Sequence, residues 1–198
     1  MKKTAVKKIT EAFLPTKYGN FQILIFKSNF DQRTQVVLIK GDIKKQPVLL
    51  RVHSKCLTGD TLASLKCDCG KQLDLSLKKI AKSAGILIYL NQEGRDIGLE
   101  NKIKAYALQD KGEDTVEANL DLGLPIDARD YEIAALILKY LKVKQVKLLT
   151  NNPDKTKQLE EGGIKISKII PLEAKPNKFN KFYLQTKKKK MDHKLKMA

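Results

Sequence analysis

Three cysteines, Cys56, Cys67 and Cys69, lie within fourteen positions of a 198-residue chain that has no others. An odd number argues against a disulfide framework. Small buried hydrophobes are the plain alternative, since cysteine often serves as one. However, Cys67-Asp68-Cys69-Gly70 brackets an acid and runs into a glycine, a turn rather than a core strand. Three thiolates on one short segment suit a divalent ion tolerant of soft ligands, zinc first among them. A structural zinc wants four protein ligands, whereas three leave a position for water, so the spacing favours a catalytic ion. His53, three residues before Cys56, is a candidate fourth ligand and leaves a closed structural site open.

Charge gives a second signal. The chain carries 39 Lys and Arg against 22 Asp and Glu, a net charge of +17. Residues 174–198 hold nine Lys and one Asp, residues 1–8 four Lys and no acid, so the remaining body is only mildly basic. Lysine runs such as Lys187 to Lys190 more often keep a tail solvated than read a nucleic acid. Nucleic acid is therefore not the expected partner, and removing residues 187–198 is expected to leave activity nearly unchanged. Only four cations are arginine: Arg33, Arg51, Arg95 and Arg129. Where lysine serves almost everywhere, a retained arginine marks a place for a flat bidentate fork that grips phosphate or carboxylate. Arg33, in a polar turn, reads as chance.

These residues need elements to place them. Phe21–Phe26, Thr34–Ile39 and Pro47–Val52 are β-branched or aromatic runs between polar turns, and read as strands. Leu62–Ser83 reads as mostly helical, broken around Cys67–Gly70, with Leu73, Leu77 and Ile80 on one stripe. Gly85–Leu90 is a buried strand, and a helix over Asn101–Lys111 stops at Gly112. Another helix starts near Arg129 with Ile133, Leu136, Ile137, Tyr140 and Leu141 at helical spacing. Strand Val146–Leu149 precedes Asn152-Pro153, an N-cap with proline at the first helical position. That helix ends at Gly162-Gly163, and strand Ile164–Ile170 closes the body. The expectation is α+β (mixed α/β): one compact domain of mixed sheets with flanking helices over residues 1–173, then a lysine-rich tail, 174–198. No run of about eighteen apolar residues exists, so no transmembrane helix is expected. Met1–Thr4 leads into a polar stretch rather than a signal-peptide core, which points to the cytoplasm.

The motifs continue in order. Arg51-Val52-His53-Ser54-Lys55-Cys56-Leu57-Thr58-Gly59-Asp60 and Leu65-Lys66-Cys67-Asp68-Cys69-Gly70 are followed by Gln92-Glu93-Gly94-Arg95-Asp96-Ile97-Gly98-Leu99 and Lys102–Asp110. Then come Asp114–Asn119, Asp127-Ala128-Arg129-Asp130 and Leu148–Pro153. In these, over residues 45–173 with a fainter echo at Tyr183–Lys187, the chain resembles the GTP cyclohydrolase II family.

The resemblance implies a zinc-dependent enzyme that hydrolyses GTP and opens its imidazole ring. Formate and pyrophosphate leave, giving 2,5-diamino-6-hydroxy-4-(5-phosphoribosylamino)pyrimidine, the first step of riboflavin biosynthesis. It implies one zinc per chain on Cys56, Cys67 and Cys69, which frees His53, magnesium with the GTP phosphates, and a homodimer. Arg51, Val52, His53, Ser54, Lys55, Gln72, Glu93, Gly94, Arg95, Thr115, Thr150 and Lys155 match positions that hold GTP. Asp127 and Arg129 match the family's base and nucleophile, and Tyr106 a tyrosine near the reacting carbon. Lys55 departs from the acidic or small residue common there. Three of the four arginines fall in these motifs.

The residue types suit that chemistry. The carbon attacked is weakly electrophilic, and zinc brings the pKa of its water toward neutrality. Three thiolates make a weaker Lewis acid than three histidines, which a donor such as Tyr106 offsets. No Gly-x-x-x-x-Gly-Lys-Ser/Thr loop is present, so arginines, Lys155 and magnesium must hold the triphosphate. Arg129 has a pKa above about 12 and no free lone pair, which favours an electrostatic clamp over covalent attack. The rival reading is a zinc-stabilised basic RNA-binding protein without turnover, against which the concentration of arginine in these motifs and of lysine in the tails speaks.

Overall fold

A computed structural model describes residues 5–191 and 193–197. Met1–Thr4, on which the leader reading and two of the N-terminal lysines rest, lie outside the described residues. One seven-stranded mixed sheet carries the fold. Its strands are β1 (Val6–Thr16), β2 (Gly19–Ser28), β3 (Gln35–Lys40), β4 (Val48–Ser54), β5 (Gly85–Leu90), β6 (Gln145–Leu149) and β7 (Lys165–Ile170), in the order β1-β2-β3-β5-β4-β6-β7. The first three and β5 pair antiparallel, while β5, β4, β6 and β7 run parallel.

The helices are α1 (Cys69–Ala81), α2 (Gly98–Gln109), α3 (Glu117–Asp121), α4 (Glu132–Tyr140), α5 (Pro153–Glu161) and α6 (Lys181–Lys190). Helix α1 lays Leu73, Leu77 and Ile80 on one face of the sheet, against Phe21, Leu49 and Leu87. On the opposite face α4 and α5 pack Ile133, Ile137, Leu138 and Leu159 against Leu50, Val52, Ile86, Ile88 and Leu148. Helices on both faces are why β4 and β5 read as nearly unbroken apolar runs.

The expected elements are present, with shifted ends. Strand β1 is additional. Its side chains are mostly exposed, so no hydrophobic alternation marks it, and pairing with β2 through the Thr16–Gly19 turn makes it a strand. Helix α1 begins at Cys69 rather than Leu62, after a single π-helical turn at Leu57–Thr61. Asn152 caps α5 as its sequence predicts, with Oδ1 accepting from the Asp154 N–H at 2.8 Å. Among the described residues, no helix is long and apolar enough to cross a membrane.

The C-terminal segment is not a solvated tail throughout. Helix α6 packs on the body, burying Leu184, Thr186 and Lys187, and Leu195 is buried beyond it. The run of four lysines hid this because its composition is that of a solvent-facing segment.

Candidate active site

In parallel sheets, ligands collect beyond the carboxyl ends of the strands, where the chain order switches direction. Here β4 is central: the chain next adds β5 on one side, then returns to add β6 on the other. The carboxyl ends of β4, β5 and β6 lead into Ser54-Lys55-Cys56, Asn91–Arg95 and Thr150-Asn151-Asn152. The segments that the sequence reading singled out therefore converge at one edge of the sheet.

The alternation of β4 divides its residues. Val48, Leu50 and Val52 enter the core beneath α4 and α5. Arg51 and His53 face the other way and line a cavity of about 960 Å³, open solvent at its mouth included. Of the candidates, only Val52, Glu93 and Asp127 do not line that cavity. Val52 is core, and only its carbonyl reaches the site, accepting from Lys155 Nζ at 2.8 Å. Glu93 braces from behind: its carboxylate accepts from the Leu57 N–H at 2.7 Å and from Lys102 Nζ at 2.8 Å. Asp127 pairs with both Nε and Nη2 of Arg129.

The three cysteine Sγ atoms lie within 4.8 Å of one another. Cys56 follows β4, while Cys67 and Cys69 sit at the amino end of α1, whose dipole favours thiolate. S–H donors from Cys67 and Cys69, and then the Lys102 ammonium, hold the Cys56 thiol far below its ordinary range. Lys102 Nζ stands 3.1 Å from Cys56 Sγ. The bond to Cys56 pushes the Cys67 thiol up to about 11. Gly59 sits against the cluster: a Cβ there would lie 2.8 Å from Cys67 Sγ and 3.2 Å from Cys56 Sγ. His53 does not join the sulfurs. Its Nε2 meets Asp60 Oδ1 at 3.1 Å, and Asp60 Oδ2 accepts from Tyr89 Oη at 2.8 Å and from the Cys56 N–H at 3.0 Å. Burial holds His53 below its ordinary pKa.

Among the described residues, seven Lys and Arg line the cavity, Arg51, Lys55, Arg95, Lys102, Arg129, Lys155 and Lys187, and no Asp or Glu does. Three carboxylates back them, Asp68 on Lys187, Glu93 on Lys102 and Asp127 on Arg129, which leaves Arg51, Lys55, Arg95 and Lys155 without a carboxylate partner among the described residues. Arg51 is buried and bonds neutral acceptors, Leu149 O at 3.0 Å and Gln72 Oε1. Desolvation lowers it to about 10. Desolvation, and then Arg51 and Arg129, hold Lys155 well below its ordinary value. Buried donors Arg51 Nε and Arg95 Nη2 have no partner among the described residues. Gly94, Arg95 and Asp96 occupy left-handed backbone in succession, φ 62°, 60° and 71°, a costly turn that aims Arg95 inward. Tyr106 stands near the sulfurs through Thr58, Oη to Oγ1 at 3.5 Å and Oγ1 to Cys56 Sγ at 3.6 Å. Desolvation pushes its hydroxyl above the ordinary range, so it stays protonated.

Sequence reasoning assigned no role to Asp60, Lys102, Asn119, Lys187 or His193. Lys102 was within reach, since a lysine on a helix within a quoted motif marks a positive charge near the cysteines. Lys187 lay at the end of the faint echo Tyr183–Lys187, to which no role was assigned, and His193 carried no signal.

The fold and site define a class: an α+β protein whose sheet edge holds a cationic cavity beside a three-cysteine, metal-competent cluster. Comparison with known proteins sharpens this. The family model described as GTP cyclohydrolase II matches residues 7–171. GTP cyclohydrolase-2 of Picrophilus torridus is 52% identical over 186 residues, 93% of this chain and 96% of the relative. That of Campylobacter hominis is 54% identical over 182 residues, 92% of each chain. The riboflavin biosynthesis protein RibBA of Chlorobium phaeovibrioides is 52% identical over 190 residues, 95% of this chain, which spans 46% of that longer protein. The chain belongs to the GTP cyclohydrolase II family and is an enzyme of riboflavin biosynthesis.

Proposed function

We propose that the enzyme binds GTP in this cavity and hydrolyses it, opening the imidazole ring and releasing formate and pyrophosphate. One observation carries the reading: among the described residues, seven Lys and Arg and no carboxylate line a cavity that the three cysteines share. Gathering that much like charge costs free energy that a polyanion offsets, and a triphosphate is such a ligand.

The cysteine cluster fits one zinc ion per chain, because three sulfur ligands in a compact array match that ion's preference and Gly59 keeps the space beside them clear. When bound, zinc supplies Lewis-acid activation of the water that attacks the purine. Lys102 donates to Cys56 and moderates the electron donation of a thiolate set. Tyr106, protonated and close by, is placed to deliver a proton to the ring nitrogen released on opening. Arg51, Arg95 and Lys155 hold the triphosphate, which arrives with magnesium. Ser54, Lys55, Gln72, Thr115 and Thr150 complete the wall of the cavity. Arg129, fixed by Asp127, acts as a bidentate clamp on charge that develops as pyrophosphate leaves. Residues 1–173 form the catalytic body, and the enzyme works as a homodimer in the cytoplasm.

The test is incubation of the purified, zinc-containing protein with GTP and magnesium, with formate and pyrophosphate measured together. Equal release of both is expected. Pyrophosphate without formate would overturn the ring-opening reading.

A further inference from the structure

We propose that Lys187 and His193, on the C-terminal segment, contact the phosphate end of the substrate and belong to its binding site. This rests on the reading of the cavity as a GTP site and extends it to residues that the motif-bearing body does not contain.

The first observation is burial. Lys187 to Lys190 are four consecutive lysines, yet Lys187 is 8% exposed while the three after it are exposed. Desolvating an ammonium costs several kcal/mol unless partners compensate. Its partner, Asp68, is 119 residues away, with Nζ 3.2 Å from Oδ1. That is long for a charge-assisted bond, and it uses one of three ammonium donors. The other Asp68 oxygen accepts from Gln72, which in turn holds Arg51. Lys187 is thus tied into the same chain that sets the Arg51 guanidinium.

The second observation is anchorage. The His193 N–H donates to Lys187 O at 3.2 Å, and the next residue, Lys194, donates its N–H to Asn151 O at 3.0 Å. Asn151 follows β6 and lines the cavity. Leu195 is buried, and the Lys196 and Met197 N–H groups bond Glu173 at 2.9 and 3.0 Å. Lys190 is paired with Asp114, next to Thr115. The segment therefore crosses from the cysteine loop to the end of β6 and is fastened on both sides.

The third observation is charge. Lys187, His193 and Tyr183 line the cavity, and the Tyr183 ring takes Lys187 Nζ at 4.7 Å and Arg95 at 5.8 Å. Lys187 faces Arg95 and Lys155; His193 faces Lys187, Arg129, Lys155 and Arg95. A histidine set among four cations stays neutral and repels none of them. An anion among those cations would supply an acceptor for both side chains and remove the repulsion between them.

The test uses the full-length, zinc-containing protein and its Lys187→Gln, Lys187→Arg and His193→Asn variants. KM for GTP is measured by formate release. Binding of magnesium–triphosphate (inorganic) and of guanosine is measured by calorimetry. In Lys187→Gln and His193→Asn, KM and the triphosphate dissociation constant are expected to rise at least about tenfold, the scale of one charged hydrogen bond. Guanosine binding should change less than about twofold, and Lys187→Arg should recover most of the loss. Unchanged triphosphate affinity in both variants would overturn the proposal. So would equal losses for triphosphate and guanosine, because that pattern marks damage to the fold. A wild-type protein that binds triphosphate but releases no formate would overturn the GTP reading alone, and the triphosphate titrations would still decide whether these two residues hold the anion.

Discussion

Arg129 is held by a single carboxylate that takes both its Nε and Nη2, so its fork is already spent on one side and aimed on the other. Despite desolvation, the field of Tyr131 and the bonds to Asp127 keep its guanidinium above the ordinary pKa. Desolvation opposes ionisation of Asp127, yet the same pair holds that carboxyl below the usual range. A base that has already lost its proton, beside a cation that keeps its own, is arranged for electrostatics rather than nucleophilic attack. Arg129→Lys is expected to retain about tenfold more pyrophosphate release than Arg129→Ala, since a point charge survives without the fork. Mass spectrometry of zinc-depleted protein incubated with GTP checks the alternative: a guanylyl adduct mapped to Arg129 would establish covalent attack. Arg33 belongs to the same scale. Its sequence context reads as chance, but its guanidinium pairs with Asp31 and with Asp96, next to Arg95. The fourth arginine thus secures the strained turn that aims the third.

The element on which the metal cluster depends is the π-helical turn Leu57–Thr61. Its Thr58 oxygen and Asp60 carboxylate both reach Cys56, and Gly59 lies against the sulfurs of Cys67 and Cys56 and the Cβ of Cys69. A methyl group at Gly59 has no room without displacing Cys67 or Cys56. Gly59→Ala is expected to lower zinc per chain well below one and to destabilise the fold by about 1–3 kcal/mol, the range for overpacking a filled interior. Elemental analysis and the urea midpoint measure the two effects. Full zinc content with an unchanged midpoint would show that the turn yields to the methyl. Sequence periodicity places a helix over Leu62–Ser83 with a break around Cys67–Gly70; the structure keeps only the part from Cys69 onward as helix. The observed break serves the cysteines, because Cys67 and Cys69 must turn back toward Cys56 before α1 can start.

At the scale of the whole molecule, the parallel half of the sheet supplies the site and the C-terminal segment closes one wall of it. Removing residues 187–198 strips Asp68 of its cation, uncovers the contacts of Leu195 and frees Asp114. Breaking a buried ion pair on one side costs about 3–5 kcal/mol, so the shortened protein should melt several degrees lower, roughly 6–20 °C for a chain of this size. Its turnover should fall as well. The composition of the segment leads to the opposite expectation, a nearly unchanged enzyme, and thermal unfolding of the two proteins decides between them.

Much of this was legible along the chain because it is local. Strand and helix periodicities, the Asn152-Pro153 cap, the cysteine spacing and the scarcity of arginine all report on neighbouring residues, and they led to an α+β fold, the three cysteines, His53 and the three arginines of the cavity; the family resemblance supplied Ser54, Lys55, Gln72, Gly94, Tyr106, Thr115, Thr150 and Lys155. The edge strand β1 was not legible, because half-solvated residues need no alternation when hydrogen bonds to β2 hold them. Nor was the inward face of β4, where Val52 and His53 part company on opposite sides of the sheet. The position of Lys187 was the least accessible. Whether an ammonium is solvated or buried depends on the carboxylate and cavity that meet it, and those come from residues more than a hundred positions away. Composition and spacing determined a metal-competent cysteine cluster and arginines suited to an anion, and the ordered motifs the family likeness, while long-range packing decided which charges face the cavity, since burial and Coulomb energy are set by distance in space rather than along the sequence.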